Sequence, residues 1–260
     1  MGITNNNYKA IRVACQRGAL TLQLYRPEAN NSINATLAAE IKTVLTQAET
    51  DDEIKVIVIE GLPDYFCTGM DLKAVSDGSA DALTENDPNE YFDLLTQFSN
   101  CSKVIIAKVE GKVNAGGIGF VAASDIVIAG PHASFGLSEA LFGLLPACIM
   151  PFLIRRIGYQ KALWMGLTTQ SITANRAYEI GLADEVSSNI DDAVRRNLLR
   201  LTRLEPGVIK DLKNYLSELW IINEQTKKIA ADKFTSMISS ETVQSNIKNF
   251  VQNGKFPWDK

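Results

Sequence analysis

The chain has 260 residues, 46% of them hydrophobic and 22% charged, enough to enclose the core of one large domain or of a domain with an appendage. A net charge of −4, with no dense Lys/Arg cluster interleaved with aromatics, leaves a nucleic-acid partner without electrostatic support. The opening Met1-Gly-Ile-Thr-Asn-Asn-Asn-Tyr8 lacks the basic and apolar regions of a secretory signal, and the longest apolar stretch, Ala140 to Ile154, is broken by Pro146 and Pro151, so a cytoplasmic setting without membrane contact is expected.

Residues 10–25 alternate as a hairpin with arms Ile11-Arg-Val13 and Leu20-Thr-Leu-Gln-Leu24, and the polar loop Arg26-Pro-Glu-Ala-Asn-Asn-Ser-Ile-Asn34 follows. A helix is predicted from about Ala35 to Glu49. Next, Ile54-Lys-Val-Ile-Val-Ile59 reads as a buried strand that leads through Gly61 into the turn Cys67-Thr-Gly-Met-Asp71. Segment 72–90, rich in Ser, Asp, Ala, Asn and Gly, predicts a mobile loop of the kind that forms lids. Then come a helical stretch near Glu90 to Phe98, a strand over 103–109, a glycine turn with a helix over 117–124, and a strand over 125–129. Strands alternating with helices imply an α/β fold. The stretch Ala140 to Ile154 predicts a buried helix.

From about Ile190 the pattern is wholly helical, with Ile222, Thr226, Ile229, Ala230, Lys233, Phe234, Met237 and Ile238 near one face at 3.6 spacing. The chain therefore divides into a core over 1–189 and a helical region over 190–260, packed on the core or on a neighbouring subunit.

The glycine turn Asn114-Ala-Gly-Gly-Ile-Gly-Phe120 feeds the apolar run Val104-Ile-Ile-Ala-Lys-Val109 into a helix. Glycines there admit a ligand to the main chain, and the first unpaired amides of the helix attract an anion or a developing oxyanion. Gly117-x-Gly119-x-x-Ala122 also has the dinucleotide spacing, but no acidic residue follows where a ribose needs one, which disfavours that reading. With the turn at Gly69-Met70, two strands end in amide-donating turns. The amides of Met70 and Gly116 are the candidates for a pair converging on one carbonyl oxygen, with Gly69 and Gly117 as the neighbouring contacts to substrate.

Gly136-Leu-Ser-Glu-Ala140 approaches a nucleophilic-serine motif, yet the chain's one histidine, His132, lies in a Pro-His turn expected to face solvent, which disfavours a triad built on Ser138 or Cys67. Cys15, Cys67, Cys101 and Cys148 form no CxxC and read as reduced thiols, and no metal site is expected. What remains is Glu139, a carboxylate among apolar neighbours in Phe135-Gly-Leu-Ser-Glu-Ala-Leu-Phe142, where burial would raise its pKa and suit it to proton transfer. The alternative is that it caps a helix or pairs with Arg155 or Arg156. Asp71 reads as a helix N-cap and Asp125 as a structural hydrogen-bond partner.

Over nearly its whole length the chain resembles the crotonase (enoyl-CoA hydratase/isomerase) superfamily, through Arg26-Pro-Glu-Ala-Asn30, Phe66-Cys-Thr-Gly-Met-Asp-Leu72, Gly111 to Asp125, Phe135-Gly-Leu-Ser-Glu139 and Ala174 to Val186. The resemblance implies a spiral of ββα units, a helical C-terminal region that mediates assembly as a homotrimer or dimer of trimers, and a substrate carried as a phosphopantetheine or CoA thioester, with no other cofactor. It places the oxyanion hole at the amides of Met70 and Gly116. Hydratases of the superfamily usually carry two catalytic glutamates. Here Gly119 stands where the first would be and Glu139 matches the second.

Val113 to Phe120, Leu141 to Cys148, Pro151 to Gly158 and Gly254-Lys-Phe-Pro-Trp258 look closest to the dehydratases of polyketide β-branching, which act on 3-hydroxy-3-methylglutaryl groups tethered to an acyl carrier protein and pass a 3-methylglutaconyl thioester to a separate decarboxylase. That resemblance implies that Glu139 takes a C2 proton and returns it to the departing C3 hydroxyl, a syn elimination. Lys73 and Lys112 are candidates for the distal carboxylate, set against their reading as solvated lysines. The rival functions are a single-glutamate Δ3,Δ2-enoyl-CoA isomerase or hydratase-like enzyme, and a catalytically degenerate scaffold.

Overall fold

The computed structural model describes residues 3–82, 87–219 and 222–259. Strands β1 (Ile11–Gln16) and β2 (Ala19–Leu24) form the expected antiparallel hairpin, Ile11 opposite Leu24 and Gln16 opposite Ala19. Helix α1 (Ala35–Glu49) starts at Asn34, whose side chain accepts from the Leu37 amide at 2.9 Å, and it buries Leu37, Ile41, Val44, Leu45 and Ala48 along one stripe.

The chain then makes three turns of one spiral. The first is β3 (Val56–Glu60), β4 (Tyr65–Cys67), α2 (Leu72–Ser76) and α3 (Asp87–Asn100); the second is β5 (Val104–Val109), β6 (Lys112–Asn114) and α4 (Gly116–Ala123); the third is β7 (Ile126–Ala129), β8 (Ser134–Gly136) and α5 (Met150–Ile157). After α6 (Tyr159–Thr168), β9 (Ile172–Thr173), α7 (Ala174–Glu179) and β10 (Glu185–Val186), everything assigned is helix: α8 (Ile190–Leu201), α9 (Pro206–Glu218), α10 (Glu224–Ile238) and α11 (Glu241–Asn253). Each turn gives its first strand to a six-stranded sheet ordered β1-β2-β3-β5-β7-β10 and its second to a four-stranded sheet ordered β4-β6-β8-β9. Strands β3, β5 and β7 run parallel, as do β4, β6 and β8, because each helix carries the chain back to the same end.

The central strands β3, β5 and β7 of the large sheet are buried on both faces, which explains unbroken apolar runs where a half-solvated strand would alternate. Ile57, Ile59, Ile105, Ala107 and Val127 join the main core with α1, while Val56, Val58, Val104, Ile106 and Ile128 pack against Ile190, Ala193 and Val194 of α8 and Ile209 of α9.

Three expectations need correction. Ala140 to Ile154 is not one helix: a 3-10 turn over Glu139–Phe142 is followed by irregular chain around Pro146 before α5 begins, and a proline cannot supply the amide a continuous helix needs. Segment 72–90 is not a long loop, since α2 occupies its start and α3 its end. Between them Asp81 is tied to the start of α1, accepting from the Thr36 amide at 3.0 Å and the Thr36 hydroxyl at 2.8 Å. Residues 83–86 of the expected lid lie outside the described residues. On α10 the inward face carries Ala230, Ala231, Phe234, Met237 and Ile238, whereas Ile229 is 63% exposed and Lys233 faces out, so the stripe follows the expected one except at those two positions.

The C-terminal helices fold back on the chain's own core. Lys227 pairs with Asp93 of α3 at 2.7 Å, Ala230 enters the main core, and Val243, Ile247 and Phe250 of α11 close over Phe142 and Leu144.

Candidate functional site

Two glycine turns meet at the ends of β4 and β6. At the first, Ile33 forms a parallel bridge with Met70: the Ile33 amide donates to the Gly69 carbonyl at 2.7 Å and the Asp71 amide donates to the Ile33 carbonyl at 3.0 Å. Alternation along an extended chain then turns the Met70 N–H away from Ile33. Asp71 caps α2 as expected, accepting from the Ala74 amide at 3.0 Å and pairing with Arg26 at 3.0 Å. Burial alone would raise its pKa, but the Ala74 amide, Arg26 and Ser32 outweigh that and hold it below the ordinary carboxylate value.

At the second turn the Ala115 amide donates to the Gly136 carbonyl at 3.0 Å, and Ala115 adopts φ +47°, ψ −124°, a strained conformation for a residue with a Cβ. That reversal makes Gly116 the first residue of α4, so its N–H has no acceptor within the helix. The turns touch. Gly69, at φ +91°, could not carry a side chain, because a Cβ there would lie 2.6 Å from the Ala115 Cβ and 3.1 Å from the Gly116 nitrogen.

Met70, Gly116 and Glu139 line one cavity of about 740 Å³. The structure thus brings together the three residues read from sequence as the donor pair and the proton carrier. Gly69 and Gly117 are not among the lining residues. Gly69 packs against Ala115, and Gly117 lies so close to β4 that a Cβ would fall 2.4 Å from the Cys67 carbonyl oxygen, so both shape the turns.

Glu139 opens the 3-10 turn after β8, and the preceding Ser138 is held by Asn114, whose amide nitrogen donates to the Ser138 hydroxyl at 2.7 Å. The carboxylate oxygen Oε2 is sealed from solvent and is the sole buried side-chain nitrogen or oxygen without a hydrogen-bond partner among the described residues. Burial pushes the Glu139 pKa up from the ordinary 4.5 to about 7, while the amides of Glu139 and Ser138 pull part of the way back. The expected alternative partners are engaged elsewhere: Arg155 donates to the carbonyls of Ala122 and Ala123, and Arg156 to those of Leu182 and Ser124 and to Asp184. A carboxyl group with one oxygen lacking a hydrogen-bond partner, no cationic neighbour and a pKa raised toward neutrality is equipped to take and return protons.

Other candidates fall away on geometry. Cys67, Cys101 and Cys148 are buried free thiols whose pKa values burial pushes up to about 12, so none is a ready nucleophile, and Cys15 is free and exposed. His132 is exposed. Asp125 accepts from the Ile105 amide and from Lys213, both at 2.7 Å, which makes it structural. Lys112 reaches the cavity wall; Lys73 is exposed on α2. Among the described residues no cluster of three or more His, Cys, Asp or Glu could hold a metal, and no helix is long and apolar enough to cross a membrane.

Sequence reasoning missed two parts of the site. Phe234, Ile238, Phe250 and Phe256 from the C-terminal region contribute to the cavity wall, and Phe142, Phe250 and Phe256 form an aromatic cluster with centroid separations of 5.0–5.9 Å. Tyr91 of α3 also lines the cavity, its hydroxyl donating to the Gly116 carbonyl. A glycine inside an apolar helix signals close approach, and Gly119 was the trace of Tyr91 in the sequence.

Residues 15–260 match the model of the enoyl-CoA hydratase/isomerase family. The chain is 42% identical to the bacillaene synthase dehydratase PksH of Bacillus subtilis over 97% of both chains, and 30% identical to the mevalonyl-coenzyme A hydratase sidH of Aspergillus fumigatus over 92% of this chain and 90% of that one. Its fold superposes on the crystal structure of a polyketide-biosynthesis enoyl-CoA hydratase of B. subtilis with a TM-score of 0.90, at 42% identity over 96% of this chain and 100% of that one. Carnitinyl-CoA hydratase of Mycobacterium avium superposes with a TM-score of 0.82, at 28% identity over 93% and 95%.

Proposed function

The chain belongs to the enoyl-CoA hydratase/isomerase family, and from that premise we propose that it is a hydro-lyase of polyketide β-branching, dehydrating 3-hydroxy-3-methylglutaryl-acyl carrier protein to the 3-methylglutaconyl thioester. The observation that carries this reading is Glu139, with its Oε2 buried and without a hydrogen-bond partner, in the same cavity as the turns of Met70 and Gly116, with no second carboxylate at position 119. The relatives support the same direction, since one is named a polyketide dehydratase and the other a hydratase of mevalonyl-coenzyme A, whose acyl group is itself a 3-hydroxy-3-methyl chain.

The thioester carbonyl oxygen sits between the Met70 and Gly116 amides, each donor contributing about 2.7–4 kcal/mol as charge accumulates in the transition state. Ionised Glu139 takes a proton from C2, and the C2–H electron pair becomes the enolate. As the enolate collapses, the C3–O bond breaks and protonated Glu139 gives its proton to the leaving hydroxyl, so water departs and the carboxylate is regenerated. One carboxylate serves as base and acid when proton and hydroxyl leave from the same face, so the elimination is syn. The balance needs no cofactor beyond the pantetheine arm that carries the acyl group. The partners of this reading are the carrier protein, identical subunits in a trimer or dimer of trimers, and a decarboxylase that consumes the product.

Paired incubations test it. With 3-hydroxy-3-methylglutaryl-carrier protein the intact mass should fall by one water. A double-bond shift at constant mass with a 3-enoyl-CoA, and no water loss from the carrier-bound substrate, would assign the protein to isomerisation instead.

A further inference from the structure

We propose that Tyr91 is a positioning residue for the enolate site, its hydroxyl pinning the turn that presents the Gly116 amide and filling the place that a side chain at position 119 would take. The proposal rests on the enolate reading above and adds a residue to it.

The turn needs a tether. Its first helical residues, Gly116-Gly-Ile-Gly119, include three glycines with little intrinsic stiffness, and the preceding Ala115 holds a strained φ of +47° that an untied chain would relax. Tyr91 supplies the tie by donating its hydroxyl hydrogen to the Gly116 carbonyl. The same hydroxyl occupies the space beside Gly119, where a Cβ would lie 2.3 Å from it and 2.9 Å from Leu95 Cδ1. The ring is itself held, edge-on to Phe120 at 5.9 Å, and its helix is locked to α4 by Phe98 stacked on Phe120 at 5.5 Å. Burial, helped by Cys67, Cys148 and Glu139 nearby, raises the phenol's pKa well above 10, so it remains a hydrogen donor across the working pH range. Tyr91 and Leu95 together thus make position 119 a committed glycine, closed to a second carboxylate unless the phenol changes and Leu95 gives way.

The test separates enolisation from dehydration. Solvent deuterium exchange at C2 of glutaryl-pantetheine, which has no hydroxyl to expel, needs only the oxyanion turn and Glu139. For Tyr91→Phe, exchange and dehydration should fall together by about 10–100-fold, with KM within about threefold and the pH limb of Glu139 unmoved. Gly119→Ala should give a comparable loss in the wild-type background and, with only the lesser overlap against Leu95 Cδ1 remaining, a much smaller further loss in Tyr91→Phe. Unchanged exchange in folded Tyr91→Phe overturns the proposal: loss of dehydration alone would place the phenol on the leaving hydroxyl, and loss of neither would leave it as packing. Multiplicative losses in the double variant also overturn it. A wild-type protein that exchanges C2 but never loses water refutes the proposed dehydration while the Tyr91 comparison stands; one that exchanges nothing overturns both.

Discussion

At the scale of single residues, the proposed chemistry rests on one carboxyl group whose environment opposes its charge. A Glu139 that ionises near pH 7 in the fold and near 4.5 when unfolded keeps a proton, between those values, that the unfolded chain has lost. Stability therefore falls as pH rises from about 4.5 to 7, and the shift corresponds to about 3 kcal/mol above pH 7. Glu139→Gln removes that penalty, so its melting temperature relative to wild type should be higher at pH 8 than at pH 4.5, as calorimetry at the two pH values would show; an equal difference at both contradicts a raised pKa. Catalysis runs the other way, since the base must be ionised, and kcat/KM should climb through an apparent pKa near 7. Glu139 was legible as a candidate because a charged residue among phenylalanines and leucines stands out, and the structure removes the pairing alternative by engaging Arg155 and Arg156 elsewhere. Tyr91 was not, because a tyrosine in an amphipathic helix has many.

At the scale of elements, the proposed function requires two turns to approach closely enough for their amides to share one oxygen. Gly69→Ala would push a methyl group against Ala115 and strain a φ of +91°, so turnover should drop by about 10–100-fold together with a loss of stability above about 1 kcal/mol, measured by denaturant titration alongside kinetics. Wild-type-like kinetics would show that the turns are not in register for catalysis. The turns were readable from glycine spacing after apolar runs, and the strands from runs such as Val56-Ile-Val-Ile59 that are buried on both faces. The apolar stretch around Pro146 was misread because periodicity cannot show where an irregular segment is packed as tightly as a helix. The aromatic closure by Phe142, Phe250 and Phe256 joins residues over 100 positions apart, a contact no local pattern encodes. Phe256→Ala should loosen that wall and raise KM several-fold with little change in kcat, by steady-state kinetics on the thioester; a fall in kcat at constant KM would place Phe256 in the chemistry instead.

At the scale of the whole molecule, the spiral delivers β4, β6 and β8 side by side so that their ends supply the two turns and Glu139, while the large sheet and α8 serve as the frame behind them. An apolar stripe is open along α9: Val208, Leu212, Tyr215 and Leu216, with Leu219 at its C-cap, follow helical spacing, each more than half exposed. Assembly into trimers would cover such a stripe, so light scattering should report three or six 28.5-kDa chains per particle, and Leu212→Glu with Leu216→Glu should shift it to monomer; a monomeric wild type would contradict that assembly. The most direct measurement for the central claim is intact-mass analysis of 3-hydroxy-3-methylglutaryl-carrier protein after incubation with wild-type and folded Glu139→Gln protein. The account predicts loss of one water with the wild type and a rate lower by about 10²–10⁴-fold with the variant. Equal rates of water loss would contradict it.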